Sequence, residues 1–296
     1  MSLVLQTQYG AIVVAKLLQK LVSRNLFNSN YQRNAASGAI EIPTTPEDSL
    51  GDYNKGSITS NSISYDANAW IHCSIDNDKF LSKYLDGYNV ASLPYNVLTD
   101  NLERLGYALA KAMDTNAITT LVRGIQGLGK DGNAYGATDP RYNKTGTIKT
   151  VAADGDIYDT LVELSGAMTD KGVSEDGRWL VVNGTGYAKI MASNKAIRQG
   201  DLSQEKVDGG VVAQIAGFDV YVTGQLTGND ASSHKIYAIA GHPDFCTRVE
   251  SFAVEPSVID ANGSGIAVGG VFVQGRYVYT HEVCNPEAFG MITAAS

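Results

Sequence analysis

The residues most suggestive of chemistry run from Gly124 to Asp131, Gly-Ile-Gln-Gly-Leu-Gly-Lys-Asp, which matches the phosphate-loop spacing GxxxxGK. That motif cradles a nucleotide with backbone amides, a lysine on the phosphates and a Ser or Thr on magnesium. Three features oppose it here. Asp131 replaces the hydroxyl and would repel phosphate, the loop follows a helical pattern instead of a strand, and the Gly- and Asn-rich residues beyond offer no helix N-terminus to the anion. Asp131, Asn133 and Gly136 echo a calcium loop, but Tyr135 and Tyr142 stand where oxygen ligands belong, which favours a plain turn. His281-Glu282-x-Cys284 is the nearest approach to a metal motif; in a strand, His281 and Glu282 would face opposite ways. Gly263-Ser264-Gly265 lacks the GxSxG spacing of a nucleophile elbow. The residues therefore point away from an enzyme, and no cofactor or metal is expected.

The elements around these residues have clearer signatures. Leu98, Leu102, Leu105, Leu109 and Met113 form one face of a helix expected from Ser92 to Gly124, with Pro94 in its first turn and Gly124 as its stop. At 1.5 Å per residue such a rod is roughly 45 Å long, far beyond the usual soluble helix. Residues 4 to 26 read as a second amphipathic helix, with Val14, Leu17, Leu18, Leu21 and Val22 apolar and Lys16, Lys20 and Arg24 on another face. A basic amphipathic helix could lie on a membrane surface, but its polar face is small, and docking on its own body or a neighbour fits better.

Gly38 to Ile75 reads as a long two-stranded hairpin. Ile40 and Ile42 alternate with polar neighbours, Pro43, Pro46 and Gly51 break the run, and Ile58 and Ile63 sit in a Ser/Thr/Asn-rich return. So polar a ribbon is marginal alone in water and needs a cover, from the same chain or an adjacent copy. Trp70 to Ile75 looks like a strand returning to a core, and Asp76 to Asn89 like a polar connector. Beyond Asp156 the pattern is α+β. Ile157, Leu161, Leu164 and Met168 mark a helix capped by Asp154 or Asp156 and stopped by Gly172, and Trp179 to Val182 a strand buried on both faces. A short helix is expected around Tyr187 to Met191. Phe218 to Thr223 alternates like an antiparallel strand with one wet face, and further strands are expected at Ile236 to Ala240 and Val271 to Val283.

Composition bounds the rest. The 296 residues carry 44% apolar residues and a net charge of −8. No 18-residue apolar run marks a membrane span, and Lys16 interrupts the one stretch resembling a leader. Cys73, Cys246 and Cys284 are odd in number and far apart, which suits free thiols in a reducing compartment. The first 40 residues carry +4 and the remainder −12, so an acidic body opposes general nucleic-acid binding while its arm could touch phosphates.

The order of pieces in the second half carries a resemblance. Asp176-Gly177-Arg178-Trp179-Leu180-Val181-Val182-Asn183 precedes the Tyr187 helix; then come Ile215 to Tyr221, Ala240-Gly241-His242-Pro243-Asp244, and the strand Gln274 to Val283 leading into Pro286-Glu287-Ala288. This order resembles the major capsid proteins of tailed bacteriophages, with the Hong Kong 97-type fold. The resemblance implies an α+β architecture with an N-terminal arm (1–36), an extended E-loop hairpin (37–75), a peripheral domain with a long spine helix (76–150), an axial domain (151–255) and a return to the peripheral domain (256–296). It implies self-assembly as pentamers and hexamers into an icosahedral head around double-stranded DNA. The DNA would be touched non-specifically, with the basic arm facing inward. It also implies a virion location after assembly in the host bacterial cytoplasm, and portal, separate scaffolding and decoration proteins as partners. Lys16, Lys20, Arg24, Ile40, Ile42, Tyr53, Lys55, Ile58 and Ile63 would then lie at assembly interfaces. Some relatives crosslink a Lys to an Asn; Lys55 is the hairpin's lone lysine, with no identifiable partner. An encapsulin-like nanocompartment shell would share the same fold.

Overall fold

A computed structural model describes residues 21–31, 38–44, 69–87, 97–152, 155–193, 211–228, 230, 234–260 and 269–295. Two sheets organise these residues. The larger has six strands in the order β4-β11-β8-β5-β7-β6, formed by Thr147–Val151 (β4), Trp179–Val182 (β5), Val211–Ile215 (β6), Phe218–Val222 (β7), Ile236–Gly241 (β8) and Gly290–Ala294 (β11). The smaller has the order β3-β10-β9, formed by Asn77–Asp86 (β3), Cys246–Asp260 (β9) and Gly270–Val283 (β10). A helical turn, Ser23–Leu26 (α1), precedes a two-stranded pair of Ala39–Thr44 (β1) and Ala69–Ser74 (β2).

The long helix spans Val97–Ile125 (α2) and serves both sheets. Leu102, Leu109 and Met113 are buried in the smaller sheet's core with Leu81, Val273, Tyr277 and Tyr279. One turn further on, Ala117, Ile118, Leu121 and Ile125 enter the larger core with Leu180, Ile239, Phe289 and Met291. Gly124 does not stop this helix. A β-carbon there would lie 2.7 Å from Val283 Cγ2, so the glycine admits close approach of β10. The stop is Gly127, at φ +73°, where Leu128 N–H bonds Arg123 O at 2.9 Å and Gly127 N–H bonds Gly124 O at 3.0 Å, a Schellman ending.

The helix Ile157–Asp170 (α3) follows its sequence pattern. Asp156 accepts from Tyr158 N, Ile157, Leu161, Leu164 and Met168 are buried, and Gly172 closes it at φ +74°. β5 is central and fully buried, antiparallel to β8 and parallel to β7. The short helix Gly184–Ala192 (α4) is capped by Asn183, which accepts from Gly186 N and donates to Ile236 O at 2.6 Å.

Several expectations give way. The connector at 76–89 is mostly strand β3, which pairs with β10 along its whole length. Only Leu81 and Leu85 on it are buried, so one polar face disguised it. β7 is antiparallel to β6, as expected, but parallel to β5 on its other side, and its Tyr221 is buried, leaving less of a wet face than the alternation implied. β4, β6, β9 and β11 had no clear signature. The residue 255/256 boundary falls inside β9, and β11 pairs in the larger sheet with β4 and β8. Trp70 to Ser74 returns as the second strand of the expected hairpin, in register from Ala39↔Ser74 to Thr44↔Ala69.

Because α2 lines both cores, Met113→Ala and Leu121→Ala should each cost about 2–5 kcal/mol. Urea unfolding followed by both circular dichroism and Trp fluorescence should show one shared transition, lowered in each variant.

Candidate assembly surface and its buried ionic support

Of the residues expected at assembly interfaces, Arg24 is exposed on α1. Lys16, Lys20, Tyr53, Lys55, Ile58 and Ile63 lie outside the described residues, as do Pro94 and most of the 4–26 helix. Ile40 and Ile42 correct the expectation. They are buried within the protomer, packed with Ile71, Cys73 and Val249 in a third small core, with Tyr31 and Ile75 at its margin. Alternation on β1 and β2 turns one face of the hairpin root onto β9, so the root is covered by its own chain. The arm's end is similarly tied down: Leu21, Leu26 and Phe27 are buried, Ser23 N donates to buried Asp114 Oδ1 at 2.9 Å, and Asn28 bridges Thr247.

Beneath the hairpin root lies a network of buried charge. Glu282 on β10 is 6% exposed in its side chain and accepts from Lys130 Nζ at 3.0 Å and from Arg141. Arg141 also donates to Asp139 through Nε at 2.9 Å and to Val283 O at 2.9 Å, and its guanidinium lies 4.1 Å from the Tyr135 ring centroid. Lys130 Nζ further reaches Thr280 Oγ1 at 2.6 Å and Ser74 O at 3.1 Å. The lysine of the phosphate-loop pattern is therefore committed to β2 and β10. It is not free to meet a nucleotide. Burial pushes the Tyr135 hydroxyl up to about 12. Asp139 is held below the usual carboxylate range; burial works against this, and the bonds from Arg141 prevail. The network borders a cleft of about 470 Å³ lined by His72, Ser74, Lys130, Tyr135, Arg141 and Glu282, among others.

The remaining chemical candidates resolve into structure. Asp131 accepts from Asn133 N at 3.1 Å and Nδ2 at 2.7 Å, closing a turn. His281 and Glu282 do face opposite ways: His281 Nδ1 pairs with Asn116 Oδ1 at 2.8 Å and its ring packs on Phe27. Burial, helped by the Arg248 and Lys130 charges, drives His281 down to about 3, so it is neutral near pH 7. Among the described residues no cluster of His, Cys, Asp and Glu could hold a metal ion, and no helix is long and apolar enough to cross a membrane.

What the sequence did not disclose is an apolar sheet face. The even-numbered residues of β3 and β10 point away from α2, so Tyr84, Phe272 and Ile259 form one cross-strand row and Phe80, Arg276 and Val254 another. Phe80 is 77% exposed, Val254 46% and Tyr84 39%, while Arg276 is held by Asp78. The polar row Ser82, Gln274 and Ser257 runs between these two rows, so the exposed apolar groups form two separate patches on one side of the sheet, a candidate interaction surface.

The sequence matches the phage capsid protein family over residues 89–292, more than half of its length. The chain belongs to that family. Solved structures agree on the fold. A cyanophage P-SCSP1u capsid structure is 14% identical with a TM-score of 0.66, covering 91% of this chain and 85% of that one. A Mycobacterium phage Che8 structure is 19% identical with a TM-score of 0.62, covering 92% and 90%. A virus-like particle from Pyrococcus furiosus is 11% identical with a TM-score of 0.55, covering 97% and 98%. No curated protein matches the sequence. The fold is thus the Hong Kong 97 type and the chain is a major capsid protein, a structural component of the virion shell.

Glu282→Gln would remove a carboxylate shared by Lys130 and Arg141; Arg141 keeps Asp139 and Lys130 borders the cleft, so the cost should be about 1–3 kcal/mol, measurable by urea unfolding. His281 should also write an acid signature. Its imidazole is neutral in the folded chain and charges freely in the unfolded one, so stability should fall as pH drops from 6.5 toward about 3. In His281→Gln the melting temperature should decline less steeply across that window.

Proposed function

We propose that copies of this chain self-assemble as pentamers and hexamers into an icosahedral phage head enclosing double-stranded DNA. Assembly would take place in the host bacterial cytoplasm, alongside portal, scaffolding and decoration proteins, and the chain contributes shape to the head instead of catalysis. The observation that carries this reading is the bare, aromatic-rich face of β3, β10 and β9, with Phe80 standing 77% exposed in a member of the capsid family. Apolar area left open on a protomer is stabilising once an adjacent copy covers it. Closed symmetry then multiplies contacts that need not be strong singly.

Within this reading the six-stranded sheet forms the axial domain. α2 with the three-stranded sheet forms the peripheral domain, and residues 37–75 form the E-loop. Tyr53, Lys55, Ile58 and Ile63 within it would meet a neighbouring copy. Lys16, Lys20 and Arg24 would face inward, where positive charge lowers the repulsion between an acidic shell and DNA.

The full chain, expressed and viewed by cryo-electron microscopy, should form closed shells with five- and six-fold capsomers. Phe80→Asp should lower shell yield about tenfold or more, because a small loss per contact is repeated throughout a closed shell, without changing the melting of the free protomer. An arm truncation should stop at Lys20, because Leu21, Leu26 and Phe27 belong to the cores; it should reduce closed shells in the same assay. A chain that stays monomeric at high concentration would defeat the proposal, and shells loaded with an enzyme instead of DNA would favour a nanocompartment.

A further inference from the structure

The hairpin root brings a thiol and an amine side by side. Lys130 Nζ lies 3.3 Å from Cys73 Sγ, across 57 residues of sequence. The same nitrogen is 3.0 Å from Glu282 Oε2 and 2.6 Å from Thr280 Oγ1. Thr280 Oγ1 in turn lies 3.9 Å from the sulfur. Cys73 is buried, whereas Lys130 lines the open cleft, so a small neutral molecule can arrive from the lysine side. Packing alone does not ask for sulfur here, since the neighbouring core positions are filled by Ile40, Ile42 and Ile71.

We propose that Cys73 and Lys130 become joined in air through one oxygen atom, as an Nζ–O–Sγ bridge. The oxidant is dioxygen. The amine gives up one N–H hydrogen and the thiol its S–H hydrogen, one oxygen atom bonds both nitrogen and sulfur, and the other leaves as water: R–NH2 + HS–R′ + O2 → R–NH–O–S–R′ + H2O. The ammonium proton must leave first, to solvent at the cleft; the Glu282 carboxylate 3.0 Å away holds that proton, so alkaline buffer should speed the step. Thr280 Oγ1 lies near both reacting atoms, 2.6 Å from the nitrogen and 3.9 Å from the sulfur. The nitrogen and sulfur need only a small further approach to accommodate the bridging atom. The product would tie β2 covalently to the loop after α2 and fix the hairpin root to the body. This inference does not rest on shell assembly, because it concerns contacts within one protomer.

Intact-mass spectrometry of the full chain tests it. After incubation in air-saturated buffer, the protein should be about 14 Da heavier than its dithiothreitol-treated counterpart, and the gain should be reversed by dithiothreitol. Peptide mapping should find the Cys73 peptide linked to the Lys130 peptide. Cys73→Ser and Lys130→Arg should each lack both the mass gain and the linked peptide. An unchanged wild-type mass would overturn the proposal. So would a gain of about 16 or 32 Da confined to Cys73, which is ordinary sulfur oxidation, or a loss of about 2 Da from a direct sulfur–nitrogen bond. The wild-type measurement decides on its own, whatever the folding of the variants.

Discussion

One helix has to satisfy two hydrophobic cores, and the rest of the protomer is arranged around that requirement. Residues Leu102 to Met113 of α2 are buried against the three-stranded sheet, and Ala117 to Ile125 against the six-stranded one. A single rigid rod therefore fixes the relation between the sheets without an interface of its own. Asp114 sits at the changeover and is buried, yet it accepts from the backbone of Val22 and Ser23. The turn of α2 between the cores thus also anchors the end of the N-terminal arm. β10 makes the same journey, pairing with β3 and β9 and then delivering Val283 to the larger core and, through Pro286–Ala288, the chain to β11.

The buried charges follow from the same crossing. Where β10 leaves its sheet beside the end of α2, the loop from Gly127 to Gly146 must pack against backbone already in place. Glu282, Lys130, Arg141 and Asp139 fill that space as a connected set. A buried ion set of this kind is poor at adding stability and good at fixing one arrangement, since any other pairing leaves a desolvated charge alone. Its members come from the loop and from β10, and Lys130 also holds the Ser74 carbonyl, so it registers the hairpin root on the body. A shell component needs that kind of definition: its projecting parts must leave the body in a reproducible direction.

What the protomer leaves unfinished is as informative as what it completes. The inner side of the three-stranded sheet is packed on α2, while the outer side keeps Phe80, Tyr84, Val254 and Ile259 in solvent. For a chain of the phage capsid family that outer side is the expected complement of a body whose inner surfaces are otherwise well filled.

The residue pattern by itself determined much about this protein. The 3.6-residue recurrence of leucines disclosed α2, a cap at Asp154 or Asp156 and a stop at Gly172 bounded α3, the apolar run at Trp179 marked a buried strand, and the order of these pieces carried the family resemblance. Such features act over a few residues, where helix and strand periods and capping geometry impose their own signature. Other features depended on partners far along the chain. Only pairing with β10 makes a strand of polar β3, only Val283 explains Gly124 inside a helix, and only the tertiary path brings Lys130 to Glu282 and Cys73. Ile40 and Ile42 alternated correctly, but alternation says that a face is apolar, not which surface will cover it; that was decided by β9 folding beneath the hairpin. Short-range order is written in spacing, whereas the choice of partner is made by the burial of surfaces that meet only once the chain has folded.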